Sequence, residues 1–272
     1  MPEVSVIIPT WNRAELLGTA VRSALAQTVP PIEVLVCDDG STDGSEEAIR
    51  ALGDGRVRWI PGERGGRPAI PRNRGIRESR GEWLAFLDND DEWLPDKLER
   101  QLHQAGQLGC RAVCSNAARV IPEKGAQGDY LAFAGDRIGF DDLLAVNRVI
   151  CSSAIIHRTV FAAVAGFPEA AALKALEDYA LWLRVATVTD FGYCSAPLLV
   201  YRDDSGNSVR REGVTVWQQR KAVFADFLAW GENNNVAATF LTRVHARQVR
   251  DSFEKSLDSA LGPVKKLQKA LR

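Results

Sequence analysis

The amino-acid sequence predicts an α/β fold: a Rossmann-like, mixed but mainly parallel sheet flanked by helices, with a helical C-terminal extension. Two observations carry that expectation. Short apolar, β-branched runs alternate with helical segments over the first 110 or so residues, the mark of a βαβ series. Three polar loops, Thr10–Arg13, Asp38–Asp43 and Asp88–Asp91, each follow such a run. They should therefore converge beyond the carboxyl ends of the strands, where open sheets bind ligands.

In order along the chain, Val4-Ser5-Val6-Ile7-Ile8, ended by Pro9, is the first buried strand. Asn12 is expected to cap a helix through about Gln27, with Glu15 completing a capping-box-like start. Glu33 to Cys37 is a second buried strand, and the loop from Asp38 to Gly44 opens a helix near Ser45. Val57 to Ile60 is a third strand, followed by a Gly/Arg/Pro-rich loop, Gly62 to Arg67, and a helix from about Ile70 to Ser79. Glu82 to Leu87 is the fourth strand and runs straight into Asp88; Pro95 suits the first turn of a helix reaching about Leu108.

The middle of the chain is less regular. Strands are expected at Ala112–Ser115 and Val149–His157 around a loop-rich span. A helix from Leu176 to Val188 follows, then two strands, near Tyr193 and at Leu198–Tyr201. Beyond residue 210 two amphipathic helical stretches, the second from Thr239 to Leu257, are separated by Asn233-Asn234-Asn235. A short basic tail with Lys265, Lys266, Lys269 and Arg272 ends the chain.

Composition narrows the classes. The 272 residues are 46% hydrophobic and 25% charged, with a net charge of -1, which gives no electrostatic reason to expect nucleic acid. No apolar run approaches ~18 residues, so no transmembrane helix is expected. Met1-Pro2-Glu3 enters a strand at once, which argues against a signal peptide and for a cytoplasmic protein, with peripheral contact at the inner face of the plasma membrane left open. Among Cys37, Cys110, Cys114, Cys151 and Cys194 only Cys110 and Cys114 lie close, with no zinc spacing, so buried thiols in a reducing compartment are expected.

The chemistry should reside in the polar loops. Asp88-Asn89-Asp90-Asp91 crowds hard oxygen donors after an apolar strand, a repulsion that a bound cation offsets. Mg²⁺ or Mn²⁺ takes one or two protein carboxylates and completes its shell with water and phosphate oxygens. Alternation in an extended segment would point Asp88 and Asp90 the same way; Asp91 could instead cap the next helix. Asp39 is a candidate acceptor for a nucleobase N–H or a ribose hydroxyl, while Asp38 could brace its loop and Asp43 cap the following helix. Trp11, between Thr10 and Asn12-Arg13, offers a stacking face. Of the arginines in the 64–77 region, Arg72 is best placed for phosphate, whereas Arg64 and Arg77 read as solvated surface. Glu177-Asp178-Tyr179 opens a helix and offers either a dipole-stabilised cap or a general base.

These blocks, in this order, resemble the family-two inverting glycosyltransferases with the GT-A fold. The resemblance rests on Val4 to Arg13, Glu33 to Asp43, Arg72-Asn73-Arg74-Gly75, Gly81 to Asp91 and Glu177 to Arg184, and covers about residues 3 to 205. It implies a nucleotide-sugar-binding half over 1–110 and an acceptor and catalytic-base half over 111–208, and it leaves the helical extension over 209–272 outside its reach. It implies that Pro9, Thr10, Trp11, Arg13, Asp39, Arg72, Asp88 and Asn89 bind the nucleotide, usually uridine. Asp90, with Asp88, would ligate Mn²⁺ or Mg²⁺, and Asp178, beside Glu177, would be the base. Many relatives have His where this chain has Asp204, which would then be a third metal ligand. The implied partners are a nucleotide-sugar donor and a glycan or lipid-linked glycan acceptor in bacterial surface polysaccharide or glycolipid synthesis. The C-terminal helices could mediate a homodimer or peripheral membrane contact, or serve as packing for the acceptor side. Two other readings stay open: a nucleotidyltransferase that makes nucleotide-sugars, and a non-catalytic nucleotide- or glycan-binding domain.

Overall fold

A computed structural model describes residues 2–204 and 215–270, the stretch 256–270 as helix backbone. A strand covered on both faces must be apolar along its length, and Val4–Thr10 (β1) is buried at every position. Helix α1 (Ala14–Leu25) leads to β2 (Glu33–Asp38), also fully buried, then α2 (Ser45–Arg50), β3 (Val57–Ile60), α3 (Ala69–Glu78) and β4 (Trp83–Phe86). Within the described residues the sheet has ten strands, and its first half runs β3-β2-β1-β4 with every pair parallel.

The second half mixes directions. It comprises β5 (Glu92–Trp93), α4 (Lys97–Leu108), β6 (Ala112–Ile121), β7 (Gly125–Asp129), β8 (Arg137–Ile138), α5 (Phe140–Ala145), β9 (Ile155–His157), α6 (Arg158–Val164), α7 (Glu177–Val185) and β10 (Phe191–Arg202). Strand β9 lies antiparallel between β4 and β6, so β6 regains the direction of β4, and β10 runs parallel to β6. The carboxyl ends of β1, β2, β4, β6 and β10 thus share one edge of the sheet, and the site forms there. Close approach of α3 to that sheet depends on Gly75, where a Cβ would lie 2.6 Å from Ile7 Cγ2 and 2.7 Å from Cys37 Sγ.

Several local expectations change. Asn12 does not cap α1: it adopts the left-handed region at φ 48°, and Asp43 from the second loop accepts the Ala14 N–H at 3.1 Å instead. Asp43 also accepts from Ser45 N, so one carboxylate serves two helix starts. Pro95 precedes α4 rather than lying in its first turn. The loop-rich span after Ser115 holds β7, β8 and α5, and Val149–His157 is a 3-10 turn at Cys151–Ser153 followed by a three-residue strand. The two strands expected near Tyr193 and Leu198 are one, β10, because register shifts between Cys194 and Val200 absorb the break. All five cysteines are free, and four are buried.

The chain forms two compact units, Met1–Glu212 and Gly213–Arg272. In the second, α8 (Val216–Asn233) starts from a Thr215 capping box and α9 runs unbroken over Ala238–Ala270. Asp251 is buried between Arg220 at 3.2 Å and Arg247 at 2.9 Å. Among the described residues no helix is long and apolar enough to cross a membrane. Ser205 to Ser208 in the loop after β10, and the side chains of Lys265, Lys266, Lys269 and Arg272, lie outside the described residues.

Candidate active site

The three loops meet because the chain stitches them together. Thr10 pairs with Asp38 in the parallel register, and Asp39 N donates to Thr10 O at 2.9 Å. Asn12 N donates to Ser41 Oγ at 2.9 Å, and Thr42 N donates to Asn12 Oδ1 at 2.8 Å. Asn89 Nδ2 donates to Pro9 O at 3.1 Å, which ties the third loop to the first. Asp38 braces its own loop by accepting from Gly40 N and Ser41 N.

Asp39 is buried and already filled with donors: Gly65 N at 2.7 Å, Gly66 N at 2.9 Å, and Arg64 Nη1. The Arg64 guanidinium also lies 3.6 Å from the centroid of Trp11, a residue that is 45% exposed. Arg64 is exposed, as expected of solvated surface, but its guanidinium is turned onto Trp11 and Asp39. The sequence offered no local signal for this, because Arg64 sits in a loop without periodicity.

Residues 88–91 form a turn, with Asp91 N donating to Asp88 O at 3.2 Å, so Asp88 and Asp90 are not aligned by strand alternation. The carboxylates still crowd one another. Burial, then the Asp88 charge, pushes the Asp90 carboxyl up to about 6. Asp91 is buried and raised well above the usual carboxylate range by burial, then by Asp90 and Asp88. It caps no helix; its Oδ1 accepts from Arg202 N at 2.9 Å. Arg202 Nε donates to Asp90 O at 3.3 Å, which joins the end of β10 to the turn. Arg13 acts on Asp90 from the first loop, favouring its ionised form.

Arg72 is only 4% exposed and spans two elements far apart in sequence. Its Nη2 donates to Asp88 Oδ1 at 2.6 Å and its Nη1 to Glu177 Oε1 at 2.9 Å. In this structure the guanidinium expected to meet phosphate is engaged by two carboxylates of its own chain. The bridge holds the start of α7 against the Asp88 turn. Next to it stands half-buried Asp178, pushed up to about 7 by burial and then by the Glu177 carboxylate, while Arg72 pulls the other way. Its Oδ1 accepts from Tyr179 N at 2.7 Å. Asn73, beside Arg72, is structural: it donates to Phe167 O and accepts from Phe167 N, both at 2.8 Å.

Asp88, Asp90 and Asp204 do not gather into a metal cage, and among the described residues no three His, Cys, Asp or Glu side chains are placed to hold an ion. Asp204 is set at the end of β10, its N–H donating to Arg202 O at 3.1 Å. A hollow of about 50 Å³ lies beneath the turn, lined by Asp90, Asp91 and Arg202 among others. A larger one of about 590 Å³, between α4 and residues 133–136, contains none of the predicted site residues.

The pattern of "Glycosyl transferase family 2" matches residues 5–164, more than half of the chain. The putative teichuronic acid biosynthesis glycosyltransferase TuaG of Bacillus subtilis is 30% identical over 184 residues, 67% of this chain and 71% of that protein. The UDP-Glc:alpha-D-GlcNAc-diphosphoundecaprenol beta-1,3-glucosyltransferase WfaP of Escherichia coli is 31% identical over 185 residues, 68% of this chain and 70% of its own length. The succinoglycan biosynthesis protein ExoO of Rhizobium meliloti is 38% identical, but the match covers 43% of this chain and only 33% of that protein. Among solved structures, S. aureus TarS 1-349 in complex with UDP-GlcNAc superposes with a TM-score of 0.71 at 16% identity, covering 93% of this chain and 73% of that one. The mannosyltransferase PcManGT of Pyrobaculum calidifontis, in complex with GDP-Man and Mn2+, gives 0.63 at 20% identity, with coverages of 99% and 79%. Identities that low show a shared fold, here the mixed sheet flanked by helices.

Proposed function

The chain belongs to glycosyl transferase family 2, and on that premise we propose that it moves a hexose from a UDP-sugar to an acceptor hydroxyl with inversion at the anomeric carbon. The observation that carries this reading is the Arg72 bridge between Asp88 and Glu177. It sets a half-buried carboxylate with a near-neutral pKa, Asp178, beside the acidic turn, as a general base must be set beside a reacting group. In our reading residues 1–110 hold the donor, 111–208 bring the base and acceptor side, and 209–272 are the extension. The acceptor we propose is a lipid-linked glycan of a bacterial surface polysaccharide pathway, the substrate type printed in the name of the WfaP relative.

The residues fit a divalent cation in one respect. Beside burial, the Asp88 charge raises the proton affinity of Asp90, and Asp90 and Asp88 together raise that of Asp91, a repulsion that a cation relieves; Mg²⁺ or Mn²⁺ needs only one or two carboxylates when diphosphate supplies further oxygens. Asp88 and Asp90 would hold it, and it would supply positive charge beside the departing diphosphate.

The remaining steps belong to the chain's own side chains. Trp11 and Asp39 bind the base, one by its ring face and the other by accepting an N–H. Asp178 takes the proton of the acceptor hydroxyl as its oxygen forms the bond to the anomeric carbon. The bond from that carbon to the diphosphate oxygen breaks, and its electron pair leaves with the nucleoside diphosphate. Attack from the face opposite the leaving group inverts the configuration. Glu177 and Arg72 position the base and do not touch the sugar.

A screen of UDP- and GDP-sugars with Mn²⁺, reading nucleoside diphosphate release by mass spectrometry, tests the proposal. Release from one donor, abolished by EDTA, is the expected result. Pyrophosphate release from a nucleoside triphosphate, with no turnover of any nucleotide-sugar, would overturn it.

A further inference from the structure

Two features of the first and second loops would recognise a nucleobase: the ring face of Trp11 and the carboxylate of Asp39. Both are in use by the chain itself. The Arg64 guanidinium lies 3.6 Å from the Trp11 centroid and donates Nη1 to Asp39 Oδ2. A guanidinium has the properties the pocket selects in a base, namely a flat, delocalised plane that stacks on an aromatic ring and edge N–H groups that meet a carboxylate. We infer that Arg64 is a built-in occupant of the base position, one that a nucleotide must displace to bind. The inference rests on the reading of Trp11 and Asp39 as the base pocket.

The surrounding backbone suits such an exchange. The segment carrying Arg64 has no regular secondary structure between β3 and α3 and includes Gly62, Gly65 and Gly66, the last at φ +71°. Gly65 N and Gly66 N donate to Asp39 independently of the Arg64 side chain, at 2.7 and 2.9 Å. Departure of the guanidinium therefore leaves Asp39 oriented with an accepting oxygen turned to the pocket. The backbone of Arg64 lies close to Gly40, where an added Cβ would stand 3.1 Å from Arg64 N, and rotation of one long side chain is enough for the exchange. That side chain is 42% exposed and can swing into solvent.

The contact that must be broken combines an exposed cation–π stack and a half-exposed ion pair, so removing Arg64 should tighten nucleotide binding by about five- to twenty-fold. Titration calorimetry of the full chain with UDP, GDP and inorganic pyrophosphate, each with Mn²⁺, reads the effect. Arg64→Ala should lower the Kd of the nucleotide that the intact chain binds and leave that of pyrophosphate unchanged, since pyrophosphate has no base to compete. Arg64→Lys, which keeps the charge but not the plane, should fall between and guards against a loop that loses its shape in the alanine variant. A weaker Kd for both nucleotide and pyrophosphate would make Arg64 a phosphate ligand and overturn the inference. An unchanged nucleotide Kd would do the same. Failure of the intact chain to bind either nucleotide would instead remove the base-pocket reading on which the inference stands.

Discussion

Replacing Arg72 with Met tests whether the bridge between Asp88 and Glu177 organises the site. Methionine fills similar volume and adds no charge, but it leaves Glu177, whose side chain is 5% exposed, without the guanidinium that donates to its Oε1 at 2.9 Å. Breaking a buried ion pair by removing one partner costs about 3–5 kcal/mol, because the remaining charge stays desolvated. For a domain of this size that lowers Tm by roughly 6–20 °C. A second effect follows from the sign of the interaction. Arg72 favours the ionised form of Asp178, so its loss drives that carboxyl above about 7, and the acid limb of the rate profile should move to higher pH. Differential scanning calorimetry and initial rates of donor turnover across the neutral range measure the two. Arg72→Met/Glu177→Gln should recover most of the lost Tm, since a neutral amide is easier to bury, and it should bring the acid limb back to or below its original pH, because the Glu177 charge raises Asp178 more than Arg72 lowers it. A Tm loss under about 3 °C in the single variant, or an unmoved acid limb, would refute the role assigned to the bridge.

Asp178→Asn should lower kcat by about 10²–10⁴-fold while sparing the Kd of UDP, because the amide cannot take a proton. In the parent chain the rate should rise through about pH 7, as Asp178 ionises. Stability should change in the opposite sense. Asp90 and Asp178 hold protons more tightly folded, with values of about 6 and about 7, than the unfolded value of 3.8, so the folded state is favoured most below that unfolded value. Thermal melts without nucleotide or metal should show that contribution draining away as pH rises from about 4 through 7; a rising Tm across that interval would contradict it. Gly75→Ala should lower stability by about 1–3 kcal/mol through overpacking against Ile7 and Cys37, read as a shift in the urea midpoint.

The parallel half of the sheet was legible because its strands are buried on both faces and leave unbroken apolar runs, as in Val4 to Ile8 and Glu33 to Cys37. The loops at strand ends could be placed for the same reason. What the residues did not disclose came from partners distant in sequence. Asn12 has the type and position of a cap, but Asp43, 29 residues on from Ala14, does that work. Arg72 has the chemistry of a phosphate ligand, and only the arrival of Glu177, 105 residues later, makes it a bridge. The acidic run is crowded as its composition implied, though through a turn and not through strand alternation. Arg64 shows no pattern at all, since its role depends on a loop folding back over Trp11.

The irregularity of β10 has a consequence for what the chain can tolerate. Between the Phe191–Ala112 and Arg202–Val120 pairs, β10 uses three more residues than its neighbour β6. Those extra residues are what deliver Arg202 in phase to Asp90 and Asp91. Because successive residues of a strand face opposite sides, deleting one of them turns every later side chain over. Substitution in Ser195–Ala196 should be easily absorbed, whereas a one-residue deletion there would detach the acidic turn from its anchor. In this segment natural variation is expected in letters and not in length, so an insertion or deletion between Cys194 and Val200 would mark a descendant whose acidic turn has found another support.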